Sequence, residues 1–176
     1  PNDIAVAKRY LGIEDKRMRV GFGYDIHQLK AGRPCILGGV HIESDLGPDG
    51  HSDADVLIHA LMDAMLGAAG LRDIGYYFPP EDDQYKGISS MLLLEKVNFL
   101  LKERGLQAYN IDIMVISETP KLKPHIDMMK SNLQSILEIP LDRISIKATT
   151  NEMLGAIGRR EGIAAQAVVS VYEGEI

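Results

Sequence analysis

The sequence predicts an α+β fold in which helices pack on one face of a mixed β-sheet, and three observations carry that prediction. Strand-like stretches (RVGFGYDIH, YNIDIMVIS, RISIKAT, GIAAQAVVSVYE) share the chain with segments of helical periodicity. The two kinds interleave without the regular rhythm of a doubly wound nucleotide-binding sheet. The length, 176 residues, suits one domain with its own core.

Taken in order, residues 1–17 differ in kind from the rest of the chain, and Met18 could be a natural start. The preceding segment then reads as an appendage: a tag, a linker or the tail of another domain. RVGFGYDIH is a strand whose alternation sets Asp25 and His27 on one face, with Ile26 turned to the core. CILGGVHI is a second strand after a turn around Gly32-Arg33-Pro34. From Asp53 to about Ala69 good helix formers succeed one another, with Asp53 and Asp55 in the first turn and Gly70 as the stop. A second helix spans about Ser89 to Arg104, where Leu93, Val97, Leu100 and Leu101 recur at helical spacing and Gly105 ends it. YNIDIMVIS alternates as a strand, Pro124 opens a helix running to about Leu137, and RISIKAT and GIAAQAVVSVYE close the chain as strands.

Composition excludes several function classes. A net charge of −6 offers no footprint for a phosphate backbone, so nucleic acid is not an expected partner. No apolar run approaches the roughly 18 residues of a membrane span, and the first segment mixes acids with bases. The single cysteine, Cys35, cannot form an internal disulfide and reads as a small buried hydrophobe, which points to a cytoplasmic setting. Any polyanionic substrate must therefore meet local positive charge, from metal ions, a few lysines or oriented backbone N–H groups.

Three pieces could carry chemistry. Asp25-Ile26-His27 presents an oxygen and a nitrogen to one point. Asp55, His59 and Asp63 lie four apart and form one helical stripe in an otherwise Ala/Leu/Met-rich segment. Buried acids and imidazole without partners cost several kcal/mol each, a penalty that a cation would offset. Asp25, His27 and His59 together form an N₂O donor set that suits Zn²⁺ with an open fourth position. Lys147 to Glu152 adds two threonine hydroxyls, backbone N–H groups and a carboxylate, suited to a phosphate chain with Mg²⁺. Each piece alone has a plain structural counterpart: a polar strand end, a solvated helix face and a Thr-rich turn with a capping Glu.

In combination the pieces resemble the methylerythritol cyclodiphosphate synthase family. The matching segments are G-F-G-Y-D-I-H (21–27), I-L-G-G-V-H-I (36–42), the long block from His51 to Pro79, T-P-K-L-K-P-H-I (119–126), K-A-T-T-N-E-M-L-G (147–155) and G-R-R-E-G-I-A-A (158–165). They cover residues 18–174 in order. The resemblance implies a homotrimer with active sites between subunits. It implies zinc on Asp25, His27 and His59, and Mg²⁺ or Mn²⁺ on Glu152. His51, Ser52 and Asp73, with the Ile74-Gly75 backbone, match the pocket for the methylerythritol part, and Asp63 reads as support for a ligand from behind. Ser117, Pro120, Lys121, Leu122, Lys123, Ala148, Thr149 and Thr150 match the cytidine diphosphate pocket, and Phe78 to Lys86 matches a loop over the substrate. His51, Asp63, Lys121 and Thr150 are the positions assigned to the reaction itself.

The implied reaction converts 4-diphosphocytidyl-2-C-methyl-D-erythritol 2-phosphate to the 2,4-cyclodiphosphate and CMP, in non-mevalonate isoprenoid biosynthesis. The substrate's own 2-phosphate oxygen attacks the β-phosphorus in line, assisted by metal charge. Residues 1–11, PNDIAVAKRYL, also resemble the C-terminal end of a cytidylyltransferase of the same pathway, which would fit a fused parent. Three departures stand out. Pro80 replaces a frequent Asp, Ala156 replaces an aromatic residue, and Arg160 adds a charge beside Arg159 and Glu161, which match the lining of an axial cavity for isoprenoid diphosphates. Rival readings are a zinc phosphohydrolase and a non-catalytic trimer that binds isoprenoid diphosphates.

Overall fold

The computed structural model describes residues 17–174, so the expected N-terminal appendage lies outside the described residues except for Arg17. Among the described residues seven strands and five α-helices appear in the order β1 (Met18–Ala31), β2 (Cys35–Leu37), β3 (Val40–Ile42), β4 (Leu46–Asp49), α1 (Val56–Ala68), α2 (Ile74–Tyr77), α3 (Ser90–Lys102), β5 (Leu106–Ile116), α4 (Ile126–Leu137), β6 (Ile144–Thr149), α5 (Gly155–Gly158) and β7 (Gly162–Glu173). Five strands form one sheet in the order β4-β1-β7-β5-β6, in which only the β5–β6 pair is parallel. The predicted α+β class with a mixed sheet is the observed one.

α1 lies between this sheet and α3, and all but two of its residues are buried. Its approach to β1 is unusually close. A Cβ added to Gly21 would lie 1.9 Å from the Ala64 carbonyl oxygen, and one added to Gly23 would lie 2.0 Å from that of Ala60. Two glycines on the strand and the small Ala60 and Ala64 on the helix therefore let the two backbones meet where ordinary side chains would hold them apart.

Alternation along β1 puts Gly21, Gly23, Asp25 and His27 toward α1. The opposite residues do not reach a core. Val20 (68% exposed), Phe22 (61%) and Ile26 (48%) lie on a sheet face that no helix covers, which corrects the expectation that Ile26 turns inward.

Other differences are local. CILGGVHI is two short strands, a hairpin whose Gly38-Gly39 turn has positive φ at both residues (57° and 71°). The first helix begins at Val56, because Asp55 is its N-cap. The Asp55 carboxylate accepts hydrogen bonds from Ile58 N–H at 3.1 Å and from the hairpin's Gly38 and Gly39 N–H groups at 3.0 and 2.8 Å. Asp55 is thus fully buried and joins helix to hairpin; it does not share a stripe with His59. The short β4, invisible to periodicity, pairs with the end of β1, Gln28 opposite Asp49.

Candidate metal centre and its pocket

Two residues apart on β1, Asp25 and His27 project from the face that α1 covers, and α1 lowers His59 onto them. His27 Nε2 lies 3.0 Å from Asp25 Oδ2, His59 Nδ1 lies 3.1 Å from the same oxygen, and the two nitrogens are 3.2 Å apart. Donors placed about 2.0 Å from a tetrahedral ion are spaced about 3.3 Å from one another, so this triangle fits one face of such a shell. Among the described residues no fourth His, Cys, Asp or Glu joins the group.

Both imidazoles are held from behind, through the ring nitrogens that face away from Asp25. His27 Nδ1 meets the Asp49 carbonyl at 2.9 Å, which makes that nitrogen the donor. His59 Nε2 meets Ser90 Oγ at 2.9 Å and Ser52 Oγ at 3.2 Å. Burial acts to raise the Asp25 carboxyl, but hydrogen bonds and charge from His27 and His59 outweigh it and hold Asp25 well below the usual carboxylate range. Burial likewise acts to lower His27, and the Asp25 partner overcomes it to leave the imidazole raised. The centre is thus an anionic vertex that collects positive charge.

A cavity of about 250 Å³ opens over the triangle. Asp25, His27 and His59 form its polar end, with His51 and Ser52 beside them; Ile74, Gly75, Phe78 and Pro80 come from the segment around α2, and Tyr85 and Leu93 complete the wall. Asp63 does not touch the triangle. Its carboxylate accepts from Ile74 N–H at 2.8 Å and so anchors the Ile74-Gly75 turn against α1. Asp73 borders a neighbouring recess with Phe22, Gly23, Tyr24 and Asp63, and Lys86 ends the turn that carries Tyr85.

A second cluster forms beyond the ends of β5 and β6. Ser117 N–H donates to the Thr149 carbonyl at 2.9 Å, and Thr150 Oγ1 donates to Glu152 Oε1 at 2.8 Å. Glu118, which sequence patterning did not single out, accepts from the Asn151 and Met153 N–H groups at 2.9 and 3.1 Å. Near it Leu122 is buried and Lys121 and Lys123 are exposed, as are Ala148 and Thr149. Cross-strand register sets the two clusters on one row: Asp25 pairs with Ala165, Ala165 with Val115, and Val115 with Ala148. Because β7 and β5 stand between β1 and β6, the row separates them by about 14 Å at ordinary strand spacing. Arg159 and Glu161 form an exposed fork, Nε to Oε1 at 2.7 Å and Nη2 to Oε2 at 3.2 Å.

Comparison with known proteins bears on this geometry. Residues 18–172 match the YgbB family. The chain is 59% identical over 152 residues to the 2-C-methyl-D-erythritol 2,4-cyclodiphosphate synthase of Synechococcus elongatus, covering 86% of this chain and 95% of that protein. It superposes on the bifunctional IspDF of Campylobacter jejuni with a TM-score of 0.87 and 41% identity, covering 96% of this chain and 47% of the other. On the CDP complex of Plasmodium falciparum IspF it gives a TM-score of 0.79 at 32% identity, covering 90% and 97%. The chain thus spans about half of the bifunctional protein and nearly all of the single-function relatives.

Proposed function

Because this chain belongs to the YgbB family, whose relatives are 2-C-methyl-D-erythritol 2,4-cyclodiphosphate synthases of isoprenoid precursor formation, we propose that residues 18–176 form a zinc-dependent, CMP-releasing lyase domain. The observation that carries the metal assignment is the triangle of Asp25, His27 and His59, whose edges of 3.0 to 3.2 Å match a tetrahedral shell. A divalent cation held there would supply Lewis-acid charge to a diphosphate. A second, Mg²⁺ or Mn²⁺, is assigned to Glu152.

The substrate carries its own nucleophile, so the chain's residues position and neutralise. His51, Ser52 and the Ile74-Gly75 turn bind the methylerythritol end in the cavity over the triangle. Phe78 and Tyr85 wall it from water. Ser117, Pro120, Leu122, Lys123, Ala148 and Thr149 bind the cytidine diphosphate end, with Lys121 and Thr150 at the diphosphate. A 2-phosphate oxygen forms the new bond to the β-phosphorus as the bond from that phosphorus to the α-phosphate oxygen breaks, and CMP leaves. Holding the two ends in line contributes on the order of 7–11 kcal/mol.

One small substrate must meet both clusters, yet two strands part them within the chain. That separation supports a homotrimer in which a neighbouring copy brings its second cluster to this cavity. The uncovered apolar residues of β1 supply a surface for the contact. In that assembly Arg159 is assigned to an isoprenoid diphosphate on the trimer axis, with Ala156 in place of a ring. A cytoplasmic location fits this chemistry.

The test is CMP release from 4-diphosphocytidyl-2-C-methyl-D-erythritol 2-phosphate, with and without a chelator. Chelator-sensitive CMP together with the cyclic product supports the reading. Hydrolysis to a linear product would point to a phosphohydrolase instead, and tight binding without turnover to a binding module.

A further inference from the structure

Ser90 and Asp53 belong to neither the cavity wall nor the ligand triangle, yet they back its most buried member. We infer that Asp53 and Ser90 form a hydroxyl relay that fixes which nitrogen of His59 is presented to a metal ion, and so sets the affinity of the centre. The inference rests on the triangle being a cation site.

Ser90 is the first residue of α3 and has no exposed surface. The Asp53 carboxylate grips it twice. Oδ2 accepts the Ser90 backbone N–H at 2.8 Å, and Oδ1 accepts the Ser90 hydroxyl. The hydroxyl proton is thereby committed to Asp53, and the one thing Ser90 Oγ can still do is accept. His59 Nε2, 2.9 Å away, must then be the donor. With its proton on Nε2, His59 turns an unprotonated Nδ1 to Asp25 and His27, the form a metal ion needs. Ser52 Oγ also lies near Nε2, at 3.2 Å, but it sits on the cavity wall and its hydroxyl proton is free to turn to a ligand.

Asp53 has a second, purely structural task, capping α3 through that same Ser90 N–H and receiving the Asp55 N–H at 3.2 Å. The two tasks separate experimentally. Ser90→Ala keeps the backbone N–H and its cap but removes the hydroxyl. Asp53→Asn keeps the shape but can accept only one of the two Ser90 bonds.

Zn²⁺ is titrated against a chromophoric chelator for wild type, Ser90→Ala and Asp53→Asn, and ring ¹H–¹⁵N spectra are recorded on the zinc-loaded proteins. Expected are a 10- to 100-fold weaker affinity in each variant, recovery of turnover in excess Zn²⁺, and a slowly exchanging His59 Nε2–H in wild type that exchanges fast in Ser90→Ala. Unchanged zinc affinity in Ser90→Ala overturns the relay. So does a wild-type spectrum with the His59 proton on Nδ1, a result available even if both variants fail to fold. Wild type that takes up no Zn²⁺ would instead overturn the metal assignment beneath it.

Discussion

At the scale of single residues, the three donors and one buried acid make separable predictions. His59→Ala removes one corner of the triangle from a helix that is otherwise apolar and tightly packed. Metal analysis after dialysis should show the loss of stoichiometric Zn²⁺ with an unchanged far-ultraviolet dichroism spectrum. Asp55 bears on stability. Burial pushes its carboxyl up to about 6 from 3.8, partly offset by the N–H donors of Gly39, Gly38 and Ile58. A raised folded-state value means that the folded chain holds a proton the unfolded chain has released. The contribution is therefore full below pH 3.8 and is lost as pH rises through about 6. Asp55→Asn should flatten the melting temperature across that window relative to wild type. Asp55→Ala, which strands three N–H donors and removes a cap, should cost about 3 kcal/mol or more in denaturant unfolding.

At the scale of elements, the glycine seats on β1 govern how close α1 can come. Gly23→Ala forces a methyl group into the Ala60 carbonyl, so the helix must lift away. Overpacking of this kind costs about 1–3 kcal/mol, or a fall in melting temperature of about 2–12 °C for a domain of this size. Zinc affinity should fall with it, because the same helix carries His59; calorimetry and chelator competition would check the pair. The elements themselves were largely legible. GIAAQAVVSVYE is β7 from end to end, and Leu93, Val97 and Leu101 of the predicted second helix are all buried in α3. What sequence patterning missed has a physical cause in each case. β4 is four residues of Leu-Gly-Pro-Asp with no alternation to read. Ile26 looked like a core residue because periodicity tells two faces apart but not which one is covered. Asp25, His27 and His59 stood out by residue type and spacing, whereas Ser90 and Glu118 gain meaning only from contacts across 31 to 35 positions of chain.

At the scale of the whole molecule, the sheet is covered on one face and bare on the other. Val20, Phe22, Tyr24 and Ile26 form an exposed apolar ridge on the bare face, while Asp112 and Lys147 pair at 2.7 Å farther across the sheet. Antiparallel sheets tolerate one wet face when that face is polar, and this ridge is not. If it is the contact between copies, sedimentation of the wild type should give three times the 19.4 kDa chain mass. Charging the ridge with Phe22→Asp and Val20→Lys should yield monomers that bind zinc yet release no CMP, since the second cluster would no longer reach the cavity. Trimers that survive both substitutions would place the contact elsewhere.

The pairing of β1 with β7 has one more consequence. Side chains on a strand change sides with every step, so a slip of β1 by a single residue would bring Ile26 under α1 and carry Asp25 and His27 out to the bare face. A misaligned sheet would keep much of its hydrogen bonding and its circular dichroism but could not assemble the three donors. Zinc uptake during refolding would then act as a vernier on strand alignment, reporting the arrival of the right pairing and ignoring a near miss.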